Sequence, residues 1–169
     1  MFDHIRTKAR PVRWFRAVHD PTVVPKHALI GSLACQNKLP TLDNLIRRGL
    51  YLANQCGLCE KANEDVKHLF FTCAYSAQVW TQVGNWSAPL PLPRLLDWYM
   101  HYNKGKARGK NLRRVSLVTA IYMIWKERNA RIFKDVKTSP QSLSIKLKYA
   151  IANRMYYCDK GRMDKKVAC

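Results

Sequence analysis

The chain has 169 residues, of which 47% are hydrophobic, and its 30 lysines and arginines against 11 acids give a net charge of +19. This hydrophobic content excludes a wholly disordered chain, and the sequence has no apolar run long enough to cross a bilayer. The charge is uneven, because residues 1–103 carry 12 basic and 7 acidic side chains whereas residues 104–169 carry 18 and 4. Such a field attracts polyanions. RNA, DNA and an anionic membrane surface all qualify, and a basic surface without any specific partner is the alternative. We favour nucleic acid and expect no membrane partner.

The first half of the chain predicts a basic lead-in followed by two helices. Pro25 suits the first turn of a helix that runs to about residue 37, because its missing N–H is not needed there. Thr41 is a suitable N-cap for the next helix. Gly49 then predicts a left-handed C-terminal cap, with Leu50 folding back on the last turn.

The second half predicts further helices separated by a stiff connector and a basic loop. Apolar residues at helical spacing follow residue 73 up to Gly84, and a Pro-rich stretch at 89–93 precedes a short helix. Residues 103–111 form a basic, Gly-containing loop before a long helix over 112–133, and Ser139-Pro140 starts a last helix. Alternating strand patterns are scarce. We therefore predict a mainly α fold, a small helical domain built around one structural zinc site with a C-terminal helical extension. The predicted divisions are 1–23 (lead-in), 24–86 (zinc-binding module), 87–111 (connector), 112–160 (C-terminal helices) and 161–169 (flexible tail).

Four residues between positions 56 and 73 have the spacing of a zinc site: Cys56, Cys59, His68 and Cys73. Zinc prefers four tetrahedral nitrogen and sulfur ligands in closed structural sites, and three Cys with one His is a standard set. The two residues between Cys56 and Cys59 let both sulfurs converge on one ion, and Gly57 eases the turn. We expect His68 on a short helix begun by Asn63. Because Cys73 lies five positions after His68, that helix must end or kink near Thr72.

Other interpretations of the cysteines are less favoured. A disulfide framework needs a secretory context, and the first twenty residues lack an apolar signal segment, so a reducing intracellular compartment, nucleus or cytoplasm, is expected. An Arg-rich start leaves a mitochondrial presequence as a minority alternative. A redox Cys-x2-Cys would follow a strand in a βαβ unit, which the pattern does not predict. Unrelated buried cysteines and a surface histidine are the remaining alternative. A catalytic zinc is disfavoured because all four ligands are usable, although Glu60, Glu64 and Asp65 lie nearby.

The zinc-site segment also resembles a known family. The run Cys56-Gly-Leu-Cys59, the run from Asn63 through His68-Leu-Phe-Phe-Thr to Cys73, and the following Ala77-Gln-Val-Trp80 are similar to the zinc-binding region of plant non-LTR retrotransposon reverse transcriptases. Residues 124–133 (Ile-Trp-Lys-Glu-Arg-Asn-Ala-Arg-Ile-Phe) are similar to a segment that often follows it. Gly57 departs from the proline that the family usually has there. The resemblance implies a structural zinc ion, template RNA or DNA as partner, and a role beside a reverse transcriptase. We find neither a Tyr-x-Asp-Asp polymerase motif nor a spaced acidic set for RNase H, so we expect no enzymatic activity.

A basic cluster is the predicted nucleic-acid contact, and its members are Lys104, Lys106, Arg108, Lys110, Arg113 and Arg114. Lys126, Arg128 and Arg131 extend it if they do not simply form a solvated helix face. Trp14, Trp86 and Trp98 are candidates for base stacking, although tryptophans more often fill a core. The leading hypothesis is a zinc-stabilised nucleic-acid-binding accessory module. The alternatives are a structural or protein-interaction zinc module, or a non-functional transposon remnant.

Overall fold

The protein is helical throughout the part of the chain that the structure describes. The computed structural model describes residues 12–50, 52–84, 92–101 and 107–167, the side chains of residues 13, 97–101 and 162–167 excepted. Within those ranges there is no β-strand, which confirms the prediction of a mainly α fold. None of the described helices is long and apolar enough to span a bilayer.

The described part of the chain forms seven α-helices and one π-helical segment. They are α1 (Arg13–Val18), α2 (Pro25–Cys35), α3 (Leu42–Arg47), the π-helical segment (His68–Thr72), α4 (Ala74–Gly84), α5 (Leu92–His101), α6 (Ala107–Lys134) and α7 (Pro140–Val167).

Helices α2 and α3 begin and end close to where the sequence predicts. Pro25 occupies the first turn of α2, and Thr41 occupies the N-cap position of α3. Gly49 has a φ of 71°, and the Gly49 and Leu50 amides donate to the carbonyls of Ile46 and Leu45, as expected of a left-handed cap. The side chain of Leu50 is exposed, however, so the prediction that it folds back on the helix was wrong.

The long helix α6 is the centre of the packing. It contacts α1, α2, α5, α7 and the π-helical segment, while α7 also packs on α4. One continuous set of buried apolar side chains extends from α1 to α7 and includes Cys56 and Cys73. The zinc-site segment therefore shares its hydrophobic core with the C-terminal helices.

Two helix boundaries differ from the prediction. Helix α6 begins at Ala107, so residues 107–111 are helical and not part of a loop. Glycine at 109 weakens the helical pattern, but Ala, Arg and Lys are strong helix formers, and Arg108 pairs with Asp159 of α7 at 3.2 Å. Helix α7 continues to Val167 through most of the predicted tail.

Candidate metal centre

The fold brings the four predicted zinc ligands together. Cys56 and Cys59 lie in the loop after α3, His68 begins the π-helical segment, and Cys73 lies between that segment and α4. Their ligand atoms all lie within 4.8 Å of one another. Cys56 Sγ is 4.0 Å from Cys73 Sγ, and Cys59 Sγ is 3.3 Å from His68 Nε2. A tetrahedral ion with Zn–S bonds of about 2.3 Å needs sulfurs about 3.8 Å apart, so the donor set fits zinc.

The π-helical segment explains how His68 and Cys73 reach the same ion. The Cys73 amide donates to the His68 carbonyl at 2.8 Å, which closes a wide turn of five residues. Cys73 itself is extended, with a ψ of 131°, and its carbonyl accepts the first hydrogen bond of α4 from Ala77. In a regular α-helix these two side chains would point to different faces. The predicted break near Thr72 is thus confirmed, and its form is a π-turn.

The start of the His68 segment differs from the prediction. Asn63 is exposed, and the cap is Asp65, whose carboxylate accepts a hydrogen bond from the His68 amide at 2.6 Å. With Asp65 as the N-cap, the helical residues begin at Val66, and the carboxylate of Asp65 fixes the backbone of the candidate ligand His68 directly.

Backbone amides surround the two buried thiols. Amides of Leu58 and Cys59 donate to Cys56, and those of Tyr75 and Ser76 donate to Cys73. The hydrogen bond from Cys56 and these amides lower the pKa of Cys73, against the effect of burial, whereas the same bond and burial raise the pKa of Cys56. A divalent cation between the two sulfurs favours the thiolate form of both.

The imidazole of His68 presents one nitrogen to each neighbour. Its Nε2 faces Cys59, and its Nδ1 lies 3.3 Å from the hydroxyl of Thr72. When Nε2 binds a metal, Nδ1 carries the proton and donates it to the Thr72 oxygen. Such a partner fixes the tautomer and the orientation of a metal-binding ring.

A buried ion pair attaches the zinc-site loop to α6. Glu64 is 0% and Arg128 is 1% exposed, and the guanidinium donates to both carboxylate oxygens at 2.6–3.1 Å. Glu64 also accepts the amide of Leu42 at 3.0 Å, so one carboxylate joins the loop, the start of α3 and the middle of α6.

A second polar contact lies on the other side of the loop. Arg131 donates at 2.9 Å to the carbonyl of Leu58, which lies between Cys56 and Cys59. It also donates to the carboxylate of Glu127 at 2.9 Å. Glu127 in turn accepts the amide of Thr138 at 2.7 Å. A Cβ placed on Gly57 would approach Ile132 to 3.2 Å. Gly57 thus serves the close approach of α6 to the loop, and the left-handed residue of this turn is Glu60 with a φ of 56°.

The acidic side chains near the site form contacts with groups other than the candidate ligand atoms. Glu64 pairs with Arg128, Asp65 caps the His68 turn, and Glu60 pairs with Lys137 at the surface. The cluster therefore offers three thiols and one imidazole, the donor set of a closed structural site.

Comparison with known proteins agrees with this chemistry. Residues 1–80 match the model of the family described as zinc-binding in reverse transcriptase. Residues 1–80 are a reverse transcriptase zinc-binding domain. The chain matches no curated protein and no solved structure. The family match of this zinc-binding domain covers its cysteine–histidine cluster and stops within α4, and it does not include a polymerase domain.

Zinc is thus the cofactor that both the family and the Cys-Cys-His-Cys cluster indicate. The residues of α6 that hold the zinc-binding domain, Glu127, Arg128 and Arg131, lie beyond the family match. The only sequence signal for them was the Trp-Lys-Glu-Arg run at 125–128. It lies in the segment that is similar to one often following the family's zinc-binding region, but this similarity did not indicate contacts with the zinc loop.

The predicted nucleic-acid residues are only partly on an open surface. Arg108, Lys110 and Arg113 are exposed at the start of α6, while Lys104 and Lys106 lie outside the described residues. Arg114 is largely buried and pairs with Asp20, so its guanidinium is used within the fold.

Of the residues predicted to extend the cluster along α6, Arg128 is buried and Arg131 half-buried in the contacts described above, whereas Lys126 is exposed. Of the tryptophans, Trp14 packs partly against the core, and the side chains of Trp86 and Trp98 lie outside the described residues.

Proposed function

We propose that the chain is a zinc-stabilised module that binds RNA or DNA and assists a reverse transcriptase of a plant retrotransposon. The observation that carries this proposal is an exposed group of cations at the start of α6, which we call the basic helix start and define as Arg108, Lys110 and Arg113. The family match supports the link to reverse transcription.

The position of this group favours an anionic partner. The first turn of α6 contains no acid, and cations at the positive end of a helix are unfavourable for the helix itself. A phosphate bound there offsets this cost and satisfies the open amides of the first turn. Arg108 is only partly compensated by Asp159, since its side chain remains 75% exposed.

The module is proposed to act by binding and not by catalysis. Four protein ligands fill a tetrahedral zinc ion, and its nearby carboxylates have the structural partners described above. In this proposal the zinc ion organises the loop, and the contacts with the nucleic acid lie on α6.

Salt dependence tests the proposal. Zinc-loaded protein is titrated into a labelled 20-nucleotide single strand at several salt concentrations, by fluorescence anisotropy. Lys110→Ala/Arg113→Ala should reduce the slope of log K against log salt by about 1.4, from about 0.7 per lost phosphate contact.

The matched control is Lys38→Ala/Lys61→Ala, which removes the same charge from exposed positions in the first half of the chain. It should leave that slope nearly unchanged. If the wild-type protein binds neither RNA nor DNA at 50 mM salt, the proposal is wrong and a structural or protein-interaction role remains.

A further inference from the structure

Helix α7 exposes aromatic side chains that its packing does not require. Tyr149 is 71%, Tyr156 65% and Tyr157 66% exposed, whereas Leu143, Leu147, Ile151 and Met155 on the opposite side are buried. Tyr149 and Tyr156 are seven residues apart, so they lie within about 20° of each other and about 10 Å apart along the helix. Tyr157 packs edge-on against Tyr156, with ring centroids 5.8 Å apart.

Lysines flank these rings. Lys146, Lys148 and Lys160 are exposed and have no ion-pair partner among the residues that the structure describes. The described acid of this stretch, Asp159, is paired with Arg108. We call this surface the tyrosine face and define it as the three tyrosines with these three lysines.

The tyrosine face is continuous with the basic helix start. The 3.2 Å contact between Arg108 and Asp159 places the beginning of α6 beside the second half of α7. Asp159 lies about 60° around the helix from Tyr156, so a ligand on the basic helix start meets the tyrosines next.

We propose that the tyrosine face stacks the unpaired bases of a single-stranded nucleic acid whose phosphates contact the basic helix start. This inference rests on the proposed function and specifies its partner. The spacing of Tyr149 and Tyr156 corresponds to about three base steps of 3.4 Å each. Stacking on aromatic rings needs bases that are not paired in a duplex, so the surface selects single strands over duplexes without reading sequence.

The chemistry of the face favours this occupant over two others. The core of a protein–protein interface is depleted in charge, whereas here lysines lie on both sides of the rings. Helices that lie in a membrane surface present Leu, Phe and Trp, whereas this face presents phenols, with Ile145 as its large aliphatic side chain.

The test compares binding of a 20-nucleotide single-stranded RNA and a 20-base-pair duplex at one salt concentration. Tyr149→Leu/Tyr156→Leu removes the stacking rings while it keeps the apolar area and the helix propensity. Binding of the single strand should weaken about 100-fold, about 10-fold for each ring, while binding of the duplex changes less than about twofold. Ile145→Leu on the same face is the matched control and should change neither.

Failure of the inference differs from failure of the proposed function. If the wild-type protein binds both ligands and the tyrosine variant binds them unchanged, or loses both equally, only the inference is wrong. If the wild-type protein binds neither ligand, both are wrong. The inference is also overturned if the leucine substitutions leave single-strand binding unaffected and the protein, before and after these substitutions, binds vesicles with 30% anionic lipid. The same holds if the protein forms a dimer in sedimentation before and after the substitutions.

Discussion

At the scale of single residues, Glu64 is the side chain on which most contacts of the zinc loop depend. Its backbone amide is held by Asn54 at 2.7 Å, its carbonyl accepts from Asp43, and its carboxylate joins Leu42 and Arg128. A buried ion pair adds little net stability compared with an apolar pair, but loss of one partner leaves a buried charge unpaired. We therefore expect Glu64 to be far more sensitive to substitution than its exposed neighbour Glu60.

Substitution of Glu64 should show this asymmetry. Glu64→Gln is expected to lower the free energy of unfolding by about 3–5 kcal/mol, because the guanidinium of Arg128 remains buried without its counter-charge. Urea unfolding of the zinc-loaded protein measures the effect. Lys137→Ala breaks the exposed pair with Glu60, whose side chains are 59% and 62% exposed, and should cost at most about 1 kcal/mol. Equal losses in the two variants would contradict this account.

The Thr72 hydroxyl should tune the affinity for zinc. Thr72→Val keeps the shape and removes the acceptor for His68 Nδ1, so zinc binding should weaken about 10- to 100-fold. Competition with a coloured chelator measures this. Thr81→Val is the control, since Thr81 is an exposed α4 threonine whose hydroxyl donates to its own helix. A zinc affinity identical in both variants would show that Thr72 does not orient the ring.

His27 should make the fold sensitive to mild acid. Burial, with Lys26 and Arg154 nearby, lowers the pKa of His27 from 6.5 to about 4. A lowered pKa in the folded state means that the unfolded chain binds the proton more readily. The contribution of His27 is therefore complete above pH 6.5 and is lost as the pH falls toward 4, by about 2 kcal/mol at pH 5. His27→Gln should remove that part of the pH dependence in thermal unfolding between pH 7 and pH 5, and an unchanged slope would exclude His27 as its source.

At the scale of elements, the parts fixed by local chemistry were predicted and those fixed by distant partners were not. Pro25, Thr41 and Gly49 act on their own backbone, so the ends of α2 and α3 followed from the sequence. The ligand spacing required a break before Cys73, but a regular break and a π-turn satisfy that spacing equally well.

The contacts of Glu64 with Arg128 and of Arg131 with Leu58 could not be predicted, because each joins residues more than sixty positions apart. The same pattern of charges along α6 fits both a helix face in contact with water and a helix face whose charged side chains bind the zinc loop. Only the packing of α6 against the zinc loop decides between them.

The π-helical segment should depend on the metal more than any other element. Its wide turn is closed by the hydrogen bond from Cys73 to His68, and these two candidate ligands lie at its two ends. Chelation should therefore increase hydrogen exchange in residues 56–73, while the middle of α6, around residues 117–125, keeps its protection because its side chains are buried. Exchange measured by mass spectrometry with and without zinc tests this, and equal protection in both states would contradict it.

At the scale of the whole molecule, acids are few, and many of them form ion pairs within the fold. Among the residues that the structure describes, six acids form ion pairs with arginines or lysines, namely Asp20, Asp43, Glu60, Glu64, Glu127 and Asp159. Since the sequence has only 11 acids against 30 basic residues, few remain to neutralise the surface. The composition gives the net charge, but it does not indicate which cations form ion pairs within the fold.

The hydrogen bond from Arg131 of α6 to the Leu58 carbonyl has a consequence for the choice of fragments of this protein. A fragment that stops where family similarity stops would separate the cysteine loop from the guanidinium groups that hold it, and would leave a carboxylate stranded in an apolar interior. Such a fragment should precipitate or unfold even in excess zinc. The folding unit therefore extends beyond the residues of the family match, and fusions or domain swaps should keep both α6 and α7 together with the cysteine loop.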